Sequence, residues 1–245
     1  MLFHNKNKEF LGITYMIFCM FFFAINDALI KHVLLIYKDI TILGEVIFIR
    51  GVISTLILGL YLFFKKKLTL DVMISKPLHG RGAVESIAAV FFFLGLMYLP
   101  FGELYSLLNL APILITASGA FILGEKVGWR RWTAVILGFV GVLIVVNPND
   151  LKFGFAFLYP LISAVFITQR DTITRKYLKN FDSLQVVFIT SLSVTIFFSF
   201  GMILNYQPIN LEIFIYIFLS AIFVTMGYYF SVLTIKTANI STTSP

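Results

Sequence analysis

Long apolar blocks alternate with short polar stretches along this chain, and the blocks have the length of a bilayer crossing. A membrane-spanning helix needs about 20 mainly apolar residues. That template selects eight segments, at approximately 10–36, 40–64, 82–99, 104–123, 132–146, 153–169, 184–204 and 211–235. The fifth and sixth are short, and the fifth opens on Trp132, a residue suited to the membrane interface. The pattern is organised around residues 104–146, where two apolar helices flank the hinge sequence GEKVGWRRW. Pro112 lies inside the first of these helices, and Gly138 and Gly141 form a small-residue face on the second. Three apolar segments precede this stretch, and after it the same order begins again.

Composition agrees with the pattern. A mean hydropathy of +0.94, with 59% hydrophobic and 13% charged residues, leaves too few charges to clothe a soluble domain. The sole cysteine, Cys19, sits in an apolar run, which excludes a disulfide framework or a cysteine metal cluster. His4, His32 and His79 fall at ends or loops with no metal-ligand spacing, so neither metal nor cofactor is expected. The N-terminus leads straight into the first segment with no small-residue cleavage site, which reads as an uncleaved first helix.

The net charge of +7 would suggest nucleic acid in a soluble protein, but here orientation in a bilayer accounts for it. With the N-terminus in the cytoplasm, 15 of the 19 Lys and Arg fall on the inner side, Arg81 and Arg170 among them. Lys31, Lys38 and Lys152 fall outside, and Arg50 stays within a helix. The expected partners are a lipid bilayer and a small molecule, with no nucleic acid. Gly138 and Gly141 permit close helix packing and offer a homodimer interface as a second use.

An internal repeat is visible. Asn26-Asp27 with Lys31 reads like Arg170-Asp171 with Arg175, and Glu45-Val46-Ile47-Phe48-Ile49-Arg50 reads like Gln185-Val186-Val187-Phe188-Ile189-Thr190. Pro112, preceded by Tyr105, Ser106 and Asn109, reads like Pro245, preceded by Asn239, Ser241 and Thr242. The three matches keep their order at offsets of 144, 140 and 133. Five helices per unit is an odd number, so the second unit enters the membrane from the opposite side. The expected fold is an all-α polytopic bundle of inverted five-helix repeats, the first over 10–147 and the second over 148–245. Eight spans are present of an expected ten, with a genuine eight-helix protein as the alternative.

Pro112 in the fourth helix, the Gly124-Glu125-Lys126 hinge followed by Trp129 and Trp132, the Gly138/Gly141 face and the five-helix plan resemble the EamA-type unit of the drug/metabolite transporter superfamily. Within it, the chain resembles the carriers that take up S-adenosylmethionine in obligate intracellular bacteria. The resemblance implies a multi-pass inner-membrane carrier working by alternating access, with a central site between its halves.

The residues themselves nominate that site. A charge at the bilayer centre costs at least about 2.5–3.5 kcal/mol, so it normally faces a cavity or a partner. At ~1.5 Å of rise per residue, Asp27 lies roughly 13 Å from the outer end of its helix and Arg50 roughly 15 Å from the outer start of the next, both near the midplane. Asp27 suits a cationic group and Arg50 a carboxylate. The alternative is a neutralising pair, or Asp27 paired with Lys31 one turn on. Glu45 is shallower. Tyr105 and Asn109 share a helix face one turn before Pro112, Gln169 ends the sixth helix, Gln185 stands where the first unit has Glu45, and Tyr228 and Tyr229 lie at mid-depth. Tyrosine faces suit a sulfonium and an adenine. Glu85 is expected to pair with Arg81, Glu103 to complement a helix dipole, and Glu125 to pair with Lys126, Arg130 and Arg131.

The substrate expected is a small organic cation or zwitterion moving inward. Export of a drug or amino acid, or a nonfunctional remnant, are the alternatives. No GxxxxGK[ST] loop is present to bind ATP, so the energy would come from a gradient or exchange. An intramembrane enzyme would need a nucleophile and base at matched depth, and the deep residues include no histidine.

Overall fold

The computed structural model describes residues 2–37, 42–125, 127–146, 154–204 and 208–237. Its regular structure among these residues is all helix, with turns between the helices. In chain order they form α1 (Leu2–Tyr37), α2 (Ile42–Phe64), the short α3 (Leu70–Met73), α4 (Lys76–Tyr98), α5 (Phe101–Leu108), α6 (Leu110–Phe121), α7 (Trp129–Val146), α8 (Leu158–Tyr177), α9 (Ser183–Leu204) and α10 (Leu211–Thr237). Six stretches are long and apolar enough to cross a membrane: Phe10–Tyr37, Ile42–Phe64, Lys76–Tyr98, Phe101–Phe121, Ser183–Gly201 and Leu211–Thr237. The expected match of Pro245 to Pro112 lies outside the described residues.

The expected fourth helix is broken into α5 and α6 at Asn109. Pro112 supplies no N–H for the carbonyl of Leu108, and its ring crowds that carbonyl, so the ladder loosens one turn before the proline. After α6, Gly124 adopts a φ of +68°, a left-handed value that glycine takes without strain, and turns the chain toward α7.

The sixth helix runs further than its hydropathy suggests. It follows a 3₁₀ turn at Gly154–Phe157 and continues to Tyr177, through Arg170, Asp171, Arg175 and Lys176. Arg170, Asp171 and Arg175 have partners inside the bundle, so their charge does not end the helix. Arg81 and Arg170, counted with the cytoplasmic-side charges, are buried within the bundle, 0% and 7% exposed.

Three antiparallel pairs build the bundle. Along α1 and α10, Phe18 and Phe22 stack on Phe230, and Phe22 also stacks on Phe223. Along α2 and α9, Gly44 meets Gly201 so closely that a Cβ on Gly44 would lie 3.1 Å from the Cα of Gly201. Further along this pair, Thr55 donates to Ser191 at 3.2 Å. Small residues and hydroxyls at such crossings let backbones approach where lipid gives no hydrophobic drive. Along α4 and α8, Ser163 donates to the carbonyl of Ala88 at 3.0 Å. On α7, Gly138 faces Ile113 of α6, while Gly141 has no described neighbour within 4 Å of an added Cβ.

Candidate functional site

α1, α2, α4, the α5–α6 break, α8 and α10 surround a cavity of about 200 Å³ whose wall includes Asp27, Arg50, Glu85, Tyr105, Arg170 and Tyr228. Two polar clusters stand on it.

The first joins α1, α2, α5 and α10. Asp27, 5% exposed, accepts hydrogen bonds from the Tyr105 hydroxyl and, at 2.7 Å, from Nδ2 of Asn26. The Asn26 Oδ1 accepts from Ser220 Oγ at 2.6 Å and from Arg50 Nη1 at 3.3 Å. Arg50, 6% exposed, lays its guanidinium over the Phe93 ring at 5.0 Å. Among the described residues no ion pair joins Arg50 to Asp27, and Asn26 stands between them. Lys31 does not pair with Asp27. It turns to the end of α4 and donates to the carbonyls of Leu96 and Leu99, the latter at 2.9 Å.

The second cluster joins α4, α8, α9 and α10. Arg170 donates to Glu85 at 2.9 Å and to Asp171 at 2.7 Å, and the Tyr228 hydroxyl donates to the other oxygen of Glu85. Arg170 therefore takes the place expected for Arg81 as the partner of Glu85. Arg81 donates to Thr174 at 2.8 Å and to Thr190. Its Nη2 is the one buried side-chain polar atom without a partner among the described residues. Three carboxylates (Asp27, Glu85 and Asp171) face three guanidinium groups (Arg50, Arg81 and Arg170), so this buried set is balanced in charge, as a low-dielectric interior requires.

The cavity gathers Asp27, Arg50, Tyr105, Asn109 and Tyr228, and leaves three expected residues out. Glu45 is buried near the start of α2, away from the cavity wall. Gln169 lies within α8 rather than at its end, and is exposed. Gln185 belongs to a junction between two loops. Its Nε2 donates to the Lys67 carbonyl at 2.7 Å, and its Oε1 accepts from the Asp182 N–H at 2.8 Å. Lys67 and Asp182 also form an ion pair at 2.5 Å. Glu125 meets Arg175 at 3.6 Å; Lys126 and the side chains of Arg130 and Arg131, its expected partners, lie outside the described residues. Cys19 is buried on the cavity wall.

Missed by sequence reasoning were Asn26, Glu85, Arg170 and Asp171 as cavity residues. The match of Arg170-Asp171 to Asn26-Asp27 was the available signal, because it places both dipeptides at one depth.

Apolar helices long enough to cross a bilayer, enclosing a cavity that holds buried charges of both signs, define a polytopic membrane protein of the small-molecule carrier class. Residues 10–147, more than half of the chain, match the EamA-like transporter family, and the chain belongs to that family. The family and the relatives below are transporters and not enzymes.

The chain is 23% identical to the S-adenosylmethionine uptake transporter of Rickettsia felis, over 60% of this chain and 50% of that protein. It is 22% identical to the pseudopaline exporter CntI of Pseudomonas aeruginosa, over 72% of this chain and 61% of that protein. It is 33% identical to the riboflavin transporter of Rhizobium johnstonii, over 33% of this chain and 27% of that protein. The chain spans about half the length of the curated S-adenosylmethionine transporters of Rickettsia felis and Rickettsia bellii that it matches. A crystal structure named only as that of a protein superposes on it with a TM-score of 0.65 and 16% identity, covering 97% of this chain and 82% of the other, a likeness of fold.

Proposed function

We propose that this chain forms a secondary carrier of the inner membrane that takes up S-adenosylmethionine, or a similarly charged organic cation or zwitterion, by alternating access. The observation that carries the reading is the state of Asp27 and Arg50. Both are buried on one cavity wall, with opposite charge, and neither neutralises the other by direct contact. Asp27 takes an ammonium or sulfonium, Arg50 takes a carboxylate, and Phe23 and Tyr228 supply aromatic surface for the cation and a flat base. The similarity to the rickettsial uptake transporters supports the substrate. The similarity to the pseudopaline exporter, which covers more of the chain, favours the second reading: the same site working outward on another small molecule.

The proposed architecture is two inverted units, 10–147 and 148–245, in which α7 and α8 are spans as well, eight in all. Hydrogen bonding supports the repeat. Arg50 of α2 and Ser220 of α10 both bond Asn26 of α1, and Arg81 of α4 bonds Thr174 of α8 and Thr190 of α9. Arg50 and Thr190 are 140 residues apart, and Arg81 and Ser220 are 139 apart. Two members of each group thus correspond while the arginine changes helices, and the third, Thr174, stands one turn beyond Arg170, the match of Asn26. With Arg81 and Arg170 set aside, 13 of the 19 Lys and Arg still favour a cytoplasmic N-terminus.

The test is uptake of labelled S-adenosylmethionine by cells expressing the chain. Saturable uptake that excess unlabelled substrate abolishes, and that Asp27→Asn removes, supports the reading. Efflux from preloaded vesicles without uptake supports the exporter instead.

A further inference from the structure

From the hydrogen bonds around Asn26 we infer that this residue determines specificity: its amide holds the two charged poles of the cavity apart, and thereby selects a substrate carrying both a cation and a carboxylate. The inference rests on the carrier reading above and concerns how the same site chooses its ligand.

Asn26 is 2% exposed on α1. Its amide can sit only one way round. Arg50 has no acceptor, so the atom it meets at 3.3 Å must be the amide oxygen, and a carboxylate has no donor, so Asp27 meets the amide nitrogen at 2.7 Å. Ser220 closes on the same oxygen at 2.6 Å from α10, which fixes the amide from a third helix. The amide dipole therefore points its positive end at Asp27 and its negative end at Arg50.

Opposite charges in a low-dielectric cavity attract strongly. Left alone, Asp27 and Arg50 would form a direct pair, and each would present little charge to a ligand. The amide satisfies one face of each pole without cancelling either. The arrangement suits a ligand with an ammonium or sulfonium on one side and a carboxylate on the other, since that ligand completes both poles at once. A ligand with the cation alone leaves Arg50 buried and uncompensated, which is the costly state.

The experiment uses the full chain in lipid nanodiscs, with two probes: S-adenosylmethionine and its carboxyl methyl ester, which keeps the cation and lacks the carboxylate. The wild type is expected to bind the free acid roughly tenfold or more tightly than the ester, the size of one charge-assisted contact. Asn26→Asp places one carboxylate oxygen against Arg50 and the other against Asp27, where the two carboxylates share a proton, so Arg50 is satisfied without substrate and the preference should fall to about parity or reverse, whereas Asn26→Gln, which keeps an amide, should retain most of it. Ser220→Ala keeps Asn26 but frees the amide, and should reduce the preference by a smaller factor. It serves as the readout if Asn26→Asp does not fold, judged by gel filtration and circular dichroism.

A general weakening of both probes with an unchanged ratio would mean that Asn26 is merely structural, and overturns the inference. So does a wild-type preference retained in both Asn26→Asp and Ser220→Ala. Binding of neither probe by the wild type overturns the carrier reading and the inference with it, an outcome distinct from the other two.

Discussion

Lys31 and Arg175 make the same contact in different parts of the bundle. Each follows an acidic residue by one helical turn, Asp27 and Asp171 respectively, and each donates to the closing carbonyls of a later helix. Lys31 reaches Leu96 and Leu99 at the end of α4, and Arg175 reaches Ile235 near the end of α10 at 2.8 Å. The last carbonyls of a helix have no partner within it, and a cation there also meets the negative end of the helix dipole. Lys31→Met should therefore lower stability by about 1 kcal/mol, or ~2–4 °C in melting temperature for a chain of this size. Lys31→Arg, which keeps the donors, should lose less. Thermal unfolding in detergent, followed by circular dichroism, measures both.

Arg170 is shared between two carboxylates, so removing it differs in kind from removing either of them. Arg170→Met leaves Glu85 and Asp171 buried together without their cation, a change of the class that costs about 3–5 kcal/mol. Glu85→Gln keeps an oxygen for Arg170, turns an N–H toward the Tyr228 hydroxyl, which can accept it, and leaves Arg170 balanced by Asp171. The expected order is severe loss of folded protein for Arg170→Met and a mild melting shift for Glu85→Gln, read from the monodisperse fraction in gel filtration. The reverse order would contradict the bonding described above.

At Asp27, charge can be removed while shape is kept. Asp27→Asn keeps one oxygen to accept from the Asn26 amide and turns an N–H toward the Tyr105 hydroxyl, which can accept it, so the fold should remain, while uptake should drop by roughly tenfold or more with the loss of a charge-assisted contact. Tyr105→Phe keeps the charge and removes one hydrogen bond, and should reduce uptake less. Melting temperature and initial uptake rate, measured on the same preparations, separate the two effects.

The long helices were legible because lipid demands unbroken apolar runs, and Asp27 and Arg50 because a charge within such a run has few places to go. Asn26 gave no comparable signal, since a neutral amide costs less to bury than an ion. α8 was misjudged for a related reason. Arg170 and Asp171 end the apolar run, but Glu85, which bonds Arg170, lies 85 residues from it, and only tertiary packing brings it into reach. The pairing of Glu85 with Arg81 followed helix spacing alone, whereas the fold turns Arg81 toward Thr174 and Thr190. Gln185 was nominated by its match to Glu45. A residue at the first turn of a helix is as free to bond the preceding loop, and that is where its amide goes.

The junction around Gln185 yields a prediction of a different kind, because it lies at the ends of helices, where pH and salt act directly. The hydrogen bond and charge of Asp182 raise the pKa of Lys67, while Asp182, despite the burial that opposes its ionisation, is held below its ordinary value by the hydrogen bond from Lys67. A depressed carboxylate contributes stability that is complete above its ordinary value of 3.8 and is lost as pH falls through the lower, folded value. A raised lysine contributes stability that is complete below 10.5 and is lost as pH climbs past the higher, folded value. Between about pH 5 and 9 the pair is therefore constant, and because both side chains are partly exposed it should be small and screened by salt. Asp182→Asn should lower the melting temperature slightly at low ionic strength, equally at pH 5 and 9, and the difference should shrink in 1 M salt or in strong acid. The hydrogen bonds of Gln185 carry no net charge, so Gln185→Ala should destabilise the junction independently of both pH and salt. Uptake by Gln185→Ala should follow the amount of folded protein. A selective fall in substrate affinity with unchanged melting would instead return Gln185 to the transport path.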